Sequence, residues 1–182
     1  SNVPKISDIE TMNELLSDLG QDITFENHQL KITPKELGAT GLDNDLSRHL
    51  RASIVLTGPL LARFGKVSFP HPGGCVIGQR PIDLFLNDYK ALETKVRFSK
   101  DRYYLEAPEG LVGAKIFLPQ QSVTATEALM MAAILAKGVT TLTNVAMEPE
   151  VVSLGQWLVA NGAKIEGLGS TTIVVHGLGR GH

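Results

Sequence analysis

Cysteine is almost absent: the 182 residues hold one, Cys75. That excludes an internal disulfide framework and any metal site built from several cysteines. No excess of basic charge is present either. Lys and Arg number 17 against 19 Asp and Glu, a net charge of −2, which argues against nucleic-acid binding through bulk positive charge. No apolar run approaches the ~20 residues of a membrane span, and no basic-then-apolar leader opens the chain. Walker loops, dinucleotide fingerprints and a Ser/His/Asp order are missing too. His28, His71, His176 and His182 fall at no metal-ligating spacing. The expectation is a soluble protein of a reducing compartment, with no membrane or nucleic-acid partner, no metal and no cofactor. Its length suits one domain with a sizeable core, since domains center near ~100–150 residues.

What charge there is divides unevenly. Residues 52–115 carry nine bases and six acids, whereas residues 1–51 carry five bases and nine acids. An anion-binding surface is therefore expected mainly from the middle third, although mixed charge also marks an ordinary solvated face.

A weak internal repeat organises the chain. A polar start, an amphipathic stretch and a short strand recur over Ser7–Ile23, Arg80–Val96 and Pro149–Ile165. A second strand follows each, at Gln29–Ile32, Tyr103–Glu106 and Thr172–Val175. In the first window Ile9, Met12, Leu15, Leu16 and Leu19 keep helical spacing. Two more helices fit between the windows. One is expected over Ser47–Phe64, bent or broken at Gly58-Pro59 by the missing N–H. The other is expected over Ala125–Lys137, opened by a Thr124-Ala125-Thr126-Glu127 capping box and stopped by Gly138. It is apolar all round, so it should be buried on most sides. These alternations predict an α/β or α+β fold of three related two-helix units about a pseudo-threefold axis.

Four stretches could carry chemistry. Pro70 to Pro81 is too rich in glycine and proline for helix interior or central strand, so Cys75 belongs to a loop. It is either a packed thiol or a reactive one whose thiolate is favoured by Arg80 and Lys66. Arg80-Pro81-Ile82-Asp83 reads as a helix start with proline at its first position and an acid in its first turn. Arg80 there is either an idle exposed arginine or part of a phosphate or carboxylate site. Ser122, Thr124 and Thr126 at the start of the buried helix are either plain caps or a diphosphate cradle. Arg48 and Arg51, three apart, should share one helix side, where an anion would relieve their repulsion.

At Pro72-Gly73-Gly74-Cys75-x-Ile77-Gly78-x-Arg80-Pro81-x-Asp83-Leu84 the chain resembles the UDP-N-acetylglucosamine enolpyruvyltransferases. Arg51-Ala52-Ser53-Ile54 with Gly58 to Gly65, Ser122-Val123-x-Ala125-Thr126 and Glu148 to Val152 extend the likeness along nearly the whole chain. The resemblance implies transfer of the enolpyruvyl group of phosphoenolpyruvate to the 3′-hydroxyl of UDP-N-acetylglucosamine, with release of phosphate, in cytoplasmic peptidoglycan synthesis. It implies an inside-out α/β barrel of three βαβαββ-type repeats. Residues 1–182 then form a single domain carrying the Cys75 loop, and a second domain of the same parent chain faces it.

By resemblance, Cys75 is the general acid toward the methylene carbon and the residue alkylated by fosfomycin. Arg80 and Arg51 contact phosphoenolpyruvate. Pro81, Ile82, Asp83 and Leu84 hold the uracil, and Ser122, Val123 and Thr124 hold the diphosphate. A Lys-Asn pair, a general-base aspartate and a further arginine of the family have no counterpart in this chain. Phe85 stands where many members carry histidine, Gln120 replaces a lysine, Thr124 replaces a glycine, and Leu92-Glu93-Thr94 replaces Leu-Gly-Ala. A chain without turnover, binding or sensing a nucleotide sugar, is the competing reading. The related shikimate-pathway transferase is a third, and the cysteine loop speaks against it.

Overall fold

The computed structural model describes residues 2–72 and 82–180. The cysteine loop, with Cys75, Arg80 and Pro81, lies outside the described residues.

The repeat is real and has a defined topology. The third copy is complete: β6 (Lys115–Phe117), α5 (Val123–Ile134), β7 (Val139–Thr143), α6 (Pro149–Ala160), β8 (Lys164–Glu166) and β9 (Thr172–His176). Its sheet runs β6-β7-β9-β8, with β6 and β7 parallel and the other pairs antiparallel. The second copy repeats this order. A parallel bridge from Gly41 to Ser68 stands where β6 stands in the third. Then follow α3 (Thr57–Phe64), β3 (Lys66–Pro70), α4 (Asp83–Ala91), β4 (Lys95–Ser99) and β5 (Arg102–Glu106). The sheet order is β3-β5-β4, all antiparallel. From the first copy the chain contains the closing helix and hairpin, α1 (Ser7–Asp18), β1 (Asp22–Glu26) and β2 (Gln29–Thr33).

Local chemistry explains these elements. In α1 the helical spacing buries Leu15 and, just past its end, Leu19. The β1–β2 and β4–β5 hairpins turn through Asn27-His28 and Lys100-Asp101, both pairs at positive φ. Two successive positive-φ residues twist a tight turn with the strands it joins. At the end of the closing helix each copy needs another left-handed residue. Gly20 (φ 98) and Gly162 (φ 100) supply it in two copies, but the second copy uses Glu93 (φ 62). A Cβ is disfavoured there, while glycine costs more backbone entropy on folding. Glu93→Gly should therefore stabilise the protein by roughly 0.5–1 kcal/mol. A urea midpoint that stays put or falls would show that this turn stores no strain.

Helices α3 and α5 are the inner pair. Leu60, Leu61, Ala62, Ala128, Leu129, Met130, Ala132 and Ala133 are all buried, as the all-round apolar pattern of α5 predicts. The two helices cross where glycine removes the side chain altogether. A methyl group at Gly58 would overlap the Ala128 carbonyl oxygen and lie 2.9 Å from its carbon. The far end of α5 is gripped by the chain leaving β9. The Gly177, Leu178 and Gly179 N–H groups donate to the carbonyls of Gly138 (2.8 Å), Ile134 (2.7 Å) and Ala136 (3.1 Å). Two of those carbonyls belong to the end of α5 and the residues just beyond it, which have no helical partner of their own.

The expected helix over Ser47–Phe64 is three pieces: α2 (Asn44–His49), a 3-10 helix (Arg51–Leu56) and α3. The break is at Leu50, which is extended (φ −121, ψ 103), and not at Gly58-Pro59. Pro59 sits in the first turn of α3, where its missing N–H has no helical acceptor to lose. Asp43 caps α2, accepting from the Asp45 and Leu46 N–H groups at 2.8 and 2.9 Å. With Leu50 extended between them, Arg48 and Arg51 do not share a helix face. The expected capping box at Thr124 is also displaced. Ser122 caps α5, its Oγ accepting from the Ala125 N–H at 3.3 Å. The helix at Asp83 starts two residues later than Pro81 would set it, with Ile82 before it in helical conformation.

Candidate functional site

A cleft of about 590 Å³ opens between the 3-10 helix, the start of α4, the loop into α5 and the start of α6. It gathers Arg51, Ile82, Leu84, Ser122, Val123 and Thr124, six of the residues singled out from sequence, from stretches far apart in the chain. Phe85, Asp88, Gln120, Gln121 and Glu148 also line it. Asp83 is exposed and not among the lining residues. Its carboxylate lies close enough to Tyr103 to help burial raise that phenol above its ordinary range. Cys75, Arg80 and Pro81 are outside the described residues.

The floor of the cleft is the N-terminus of α5, and its hydrogen bonds show how it is held. Thr126 Oγ1 donates to the Ser122 carbonyl at 2.8 Å and accepts from the Ala146 N–H at 3.1 Å. Thr126 is thus fully committed to structure and tethers the helix to the β7–α6 loop. Ser122 Oγ and Thr124 Oγ1 lie 3.3 Å apart. The N–H groups of Val123 and Thr124 have no acceptor inside the helix. Two hydroxyls and two aligned N–H groups at the positive end of a helix are donors of the kind that can receive an anion. Arg51, half-buried on the 3-10 helix, adds a full positive charge to the same cleft. A guanidinium presents its donors in a fork matched to phosphate or carboxylate oxygens.

The α4 wall is apolar with one exception. Ile82 and Phe85 are buried, and Phe85 meets Tyr89 edge-on at 4.9 Å. The Tyr89 hydroxyl lies 2.9 Å from Thr57 Oγ1, which donates to the Ile54 carbonyl at 2.6 Å. This ties α4 to the 3-10 helix carrying Arg51. The exception is Asp88, only 8% exposed, whose carboxyl burial pushes up to about 6. A raised folded-state value means that the folded protein holds this proton more tightly than the unfolded chain. Asp88 therefore subtracts stability as pH rises from about 4 toward 6, and the loss is complete above that. The sequence carried a signal for it: Asp88 falls three residues after Phe85, on the apolar face of its own helix. Among the described residues no group of three His, Cys, Asp or Glu could hold a metal ion, and no helix is long and apolar enough to cross a membrane.

The repeated βαβαββ units around two buried inner helices are the enolpyruvyl-transferase fold, of α+β class. Its likeness to the enolpyruvyl transferase NikO from Streptomyces tendae has a TM-score of 0.80 at 20% identity, covering 97% of this chain and 42% of that one. The model of the family described as EPSP synthase (3-phosphoshikimate 1-carboxyvinyltransferase) matches residues 1–182, and the chain belongs to that family. Among curated relatives, the UDP-N-acetylglucosamine 1-carboxyvinyltransferase of Sulfurimonas denitrificans is 43% identical over 98% of this chain. The protein of the same name from Bradyrhizobium diazoefficiens is 47% identical over 97% of it. The chain spans 43% and 41% of the length of these two relatives.

Proposed function

We propose that this chain supplies one wall of a cytoplasmic enzyme that transfers the enolpyruvyl group of phosphoenolpyruvate to the 3′-hydroxyl of UDP-N-acetylglucosamine, releasing phosphate for peptidoglycan synthesis. The observation that carries the reading is the meeting of Arg51 with the Ser122–Thr124 helix start in one cleft. Both reactants are phosphate-bearing anions and need such donors. The names of the relatives at 43% and 47% identity support the nucleotide sugar as acceptor. Cys75 in its glycine-rich loop favours it over shikimate phosphate, the substrate class in the family's description.

The chemistry divides among named groups. The Ser122 and Thr124 hydroxyls and the Val123 and Thr124 N–H groups hold the diphosphate, and Pro81, Ile82, Asp83 and Leu84 hold the uracil. Arg51 and Arg80 grip phosphoenolpyruvate. As the sugar hydroxyl gives its proton to the general base, its oxygen bonds to the central carbon of the enol and the Cys75 thiol delivers its proton to the methylene carbon. That carbon then returns a proton to the Cys75 thiolate as the bond from the central carbon to the phosphate oxygen breaks and phosphate leaves. Fixed donors around the departing phosphate stabilise charge as it develops. The general base lies on a second domain of the parent chain, and closure of that domain holds the reactants at near-attack distance in a cleft freed of water.

Phosphate release is the test. The two-domain parent should release phosphate only when both phosphoenolpyruvate and UDP-N-acetylglucosamine are present. Residues 1–182 alone should release none while still binding the nucleotide sugar weakly. Release without the nucleotide sugar would overturn the acceptor assignment, and turnover by residues 1–182 alone would overturn the two-wall arrangement.

A further inference from the structure

The geometry points to Asp88 as a ligand-binding residue of the cleft, its carboxylate accepting a hydrogen bond from a neutral donor of the substrate, an N–H or a hydroxyl. The inference rests on the nucleotide-sugar reading above and assigns that ligand a contact on α4.

Asp88 is more than nine-tenths buried and lines the cleft. Among the described residues its carboxylate has no hydrogen-bond or ion-pair partner. Its buried neighbours behave differently. Thr57 is bonded to Ile54 and Tyr89, Ser53 to Ser47, and Thr126 to Ser122 and Ala146. Among the described residues the Ser47, Thr94 and Thr140 hydroxyls are also buried without a partner, but of these groups Asp88 alone lines the cleft. A carboxylate taken from water without a partner is costly, so it serves no purpose as packing. Its shifted titration, to about 6, keeps it mostly ionised at neutral pH and therefore an acceptor.

The charge selects what it can accept from. A diphosphate or a carboxylate would be repelled, and the cleft already provides for those at Arg51 and at the start of α5. A neutral donor fits instead. The nucleobase N–H, the ribose hydroxyls and the sugar's hydroxyl and amide N–H are the available sources. Binding would also relieve the unfavourable burial, because a hydrogen bond to an ionised group is among the stronger ones.

The test is titration calorimetry of the full-length protein and its Asp88→Ala and Asp88→Asn variants, with UDP-N-acetylglucosamine and with UDP, alongside thermal unfolding. Asp88→Ala should bind UDP-N-acetylglucosamine roughly tenfold more weakly or worse, with Asp88→Asn in between. Both variants should unfold at or above the wild-type temperature at pH 8, because an unpaired buried charge has gone. A matching loss for UDP assigns the donor to the nucleoside, and a loss confined to UDP-N-acetylglucosamine assigns it to the sugar. In turnover the nucleotide-sugar KM should rise while kcat stays near wild type. Binding of both ligands within twofold of wild type in Asp88→Ala overturns the assignment. So does a lower unfolding temperature in both variants, which would make Asp88 a structural residue. Wild-type protein that binds neither ligand overturns the nucleotide-sugar reading itself, a result distinct from unchanged binding in the variants.

Discussion

Gly58→Ala should destabilise the protein by at least about 2–3 kcal/mol, read as a lower urea midpoint with an unchanged slope. Helix propensity alone predicts the reverse, since alanine is favoured over glycine by about 1 kcal/mol inside a helix. The crossing decides the sign. The new methyl would overlap the Ala128 carbonyl oxygen, which is helix backbone and cannot rotate aside as a side-chain tip can. Relief requires α3 and α5 to separate, and both are packed on their other sides as well. Gly38→Ala is the control: nothing lies within 4 Å of its added methyl, and its effect should be within about 0.5 kcal/mol. If Gly58→Ala is as stable as wild type, the inner helices do not meet as closely as described.

Cys75→Ala in the proposed two-domain parent should lower kcat by about a hundred- to ten-thousandfold, the range for losing a positioned general acid, while UDP-N-acetylglucosamine affinity holds. The assignment of Cys75 is carried by the resemblance of its loop, and kinetics can test it directly. Arg80 should respond to substitution in a complementary way. Arg80→Lys should cost nearly as much as Arg80→Ala, on the order of 2–4 kcal/mol in turnover, because an ammonium does not reproduce a bidentate fork. Near-normal turnover in Cys75→Ala would remove the general-acid role. Near-normal turnover in Arg80→Lys would reduce Arg80 to a diffuse charge.

The legible part of the fold was the part written in local periodicity. The closing helix and hairpin of each copy announce themselves through 3.6-residue spacing, a turn and two short strands. α1 and α6 and the strands after all three closing helices fall where those patterns set them, while α4 starts two residues late. β6 is three residues long and pairs in parallel with β7, a contact between distant segments with no local signature. Composition favours helix throughout Ser47–Phe64, whereas Leu50 is extended and buried, a placement with no local signature. At α5, Ser122 and Thr124 are both good caps, and only the tethering of Thr126 to Ser122 and Ala146 decides for Ser122.

The site divides in the same way. Arg51, Ile82, Leu84, Ser122, Val123 and Thr124 do converge, which no spacing rule could establish. Asp83 stands outside the cleft lining because the first exposed turn of α4 carries it toward Tyr103. Asp88 escaped notice because an acidic residue in a helix reads as solvent-facing until its face is known. The departures from the family pattern also acquire physical content. Phe85 fills the α4 wall against Tyr89, Thr124 adds a hydroxyl beside Ser122 at the start of α5, and Glu93 occupies a left-handed turn that glycine serves in the other two copies.

The grip of residues 177–179 on the end of α5 gives that helix a mechanical role. Twelve residues make a rod about 18 Å long, stiff along its axis because every turn is bonded to the next. One end presents the N–H groups and hydroxyls of the cleft, and the other is clasped by the strand leaving β9. The two ends are therefore joined by one stiff element, which links Leu178 mechanically to the cleft lining at Ser122.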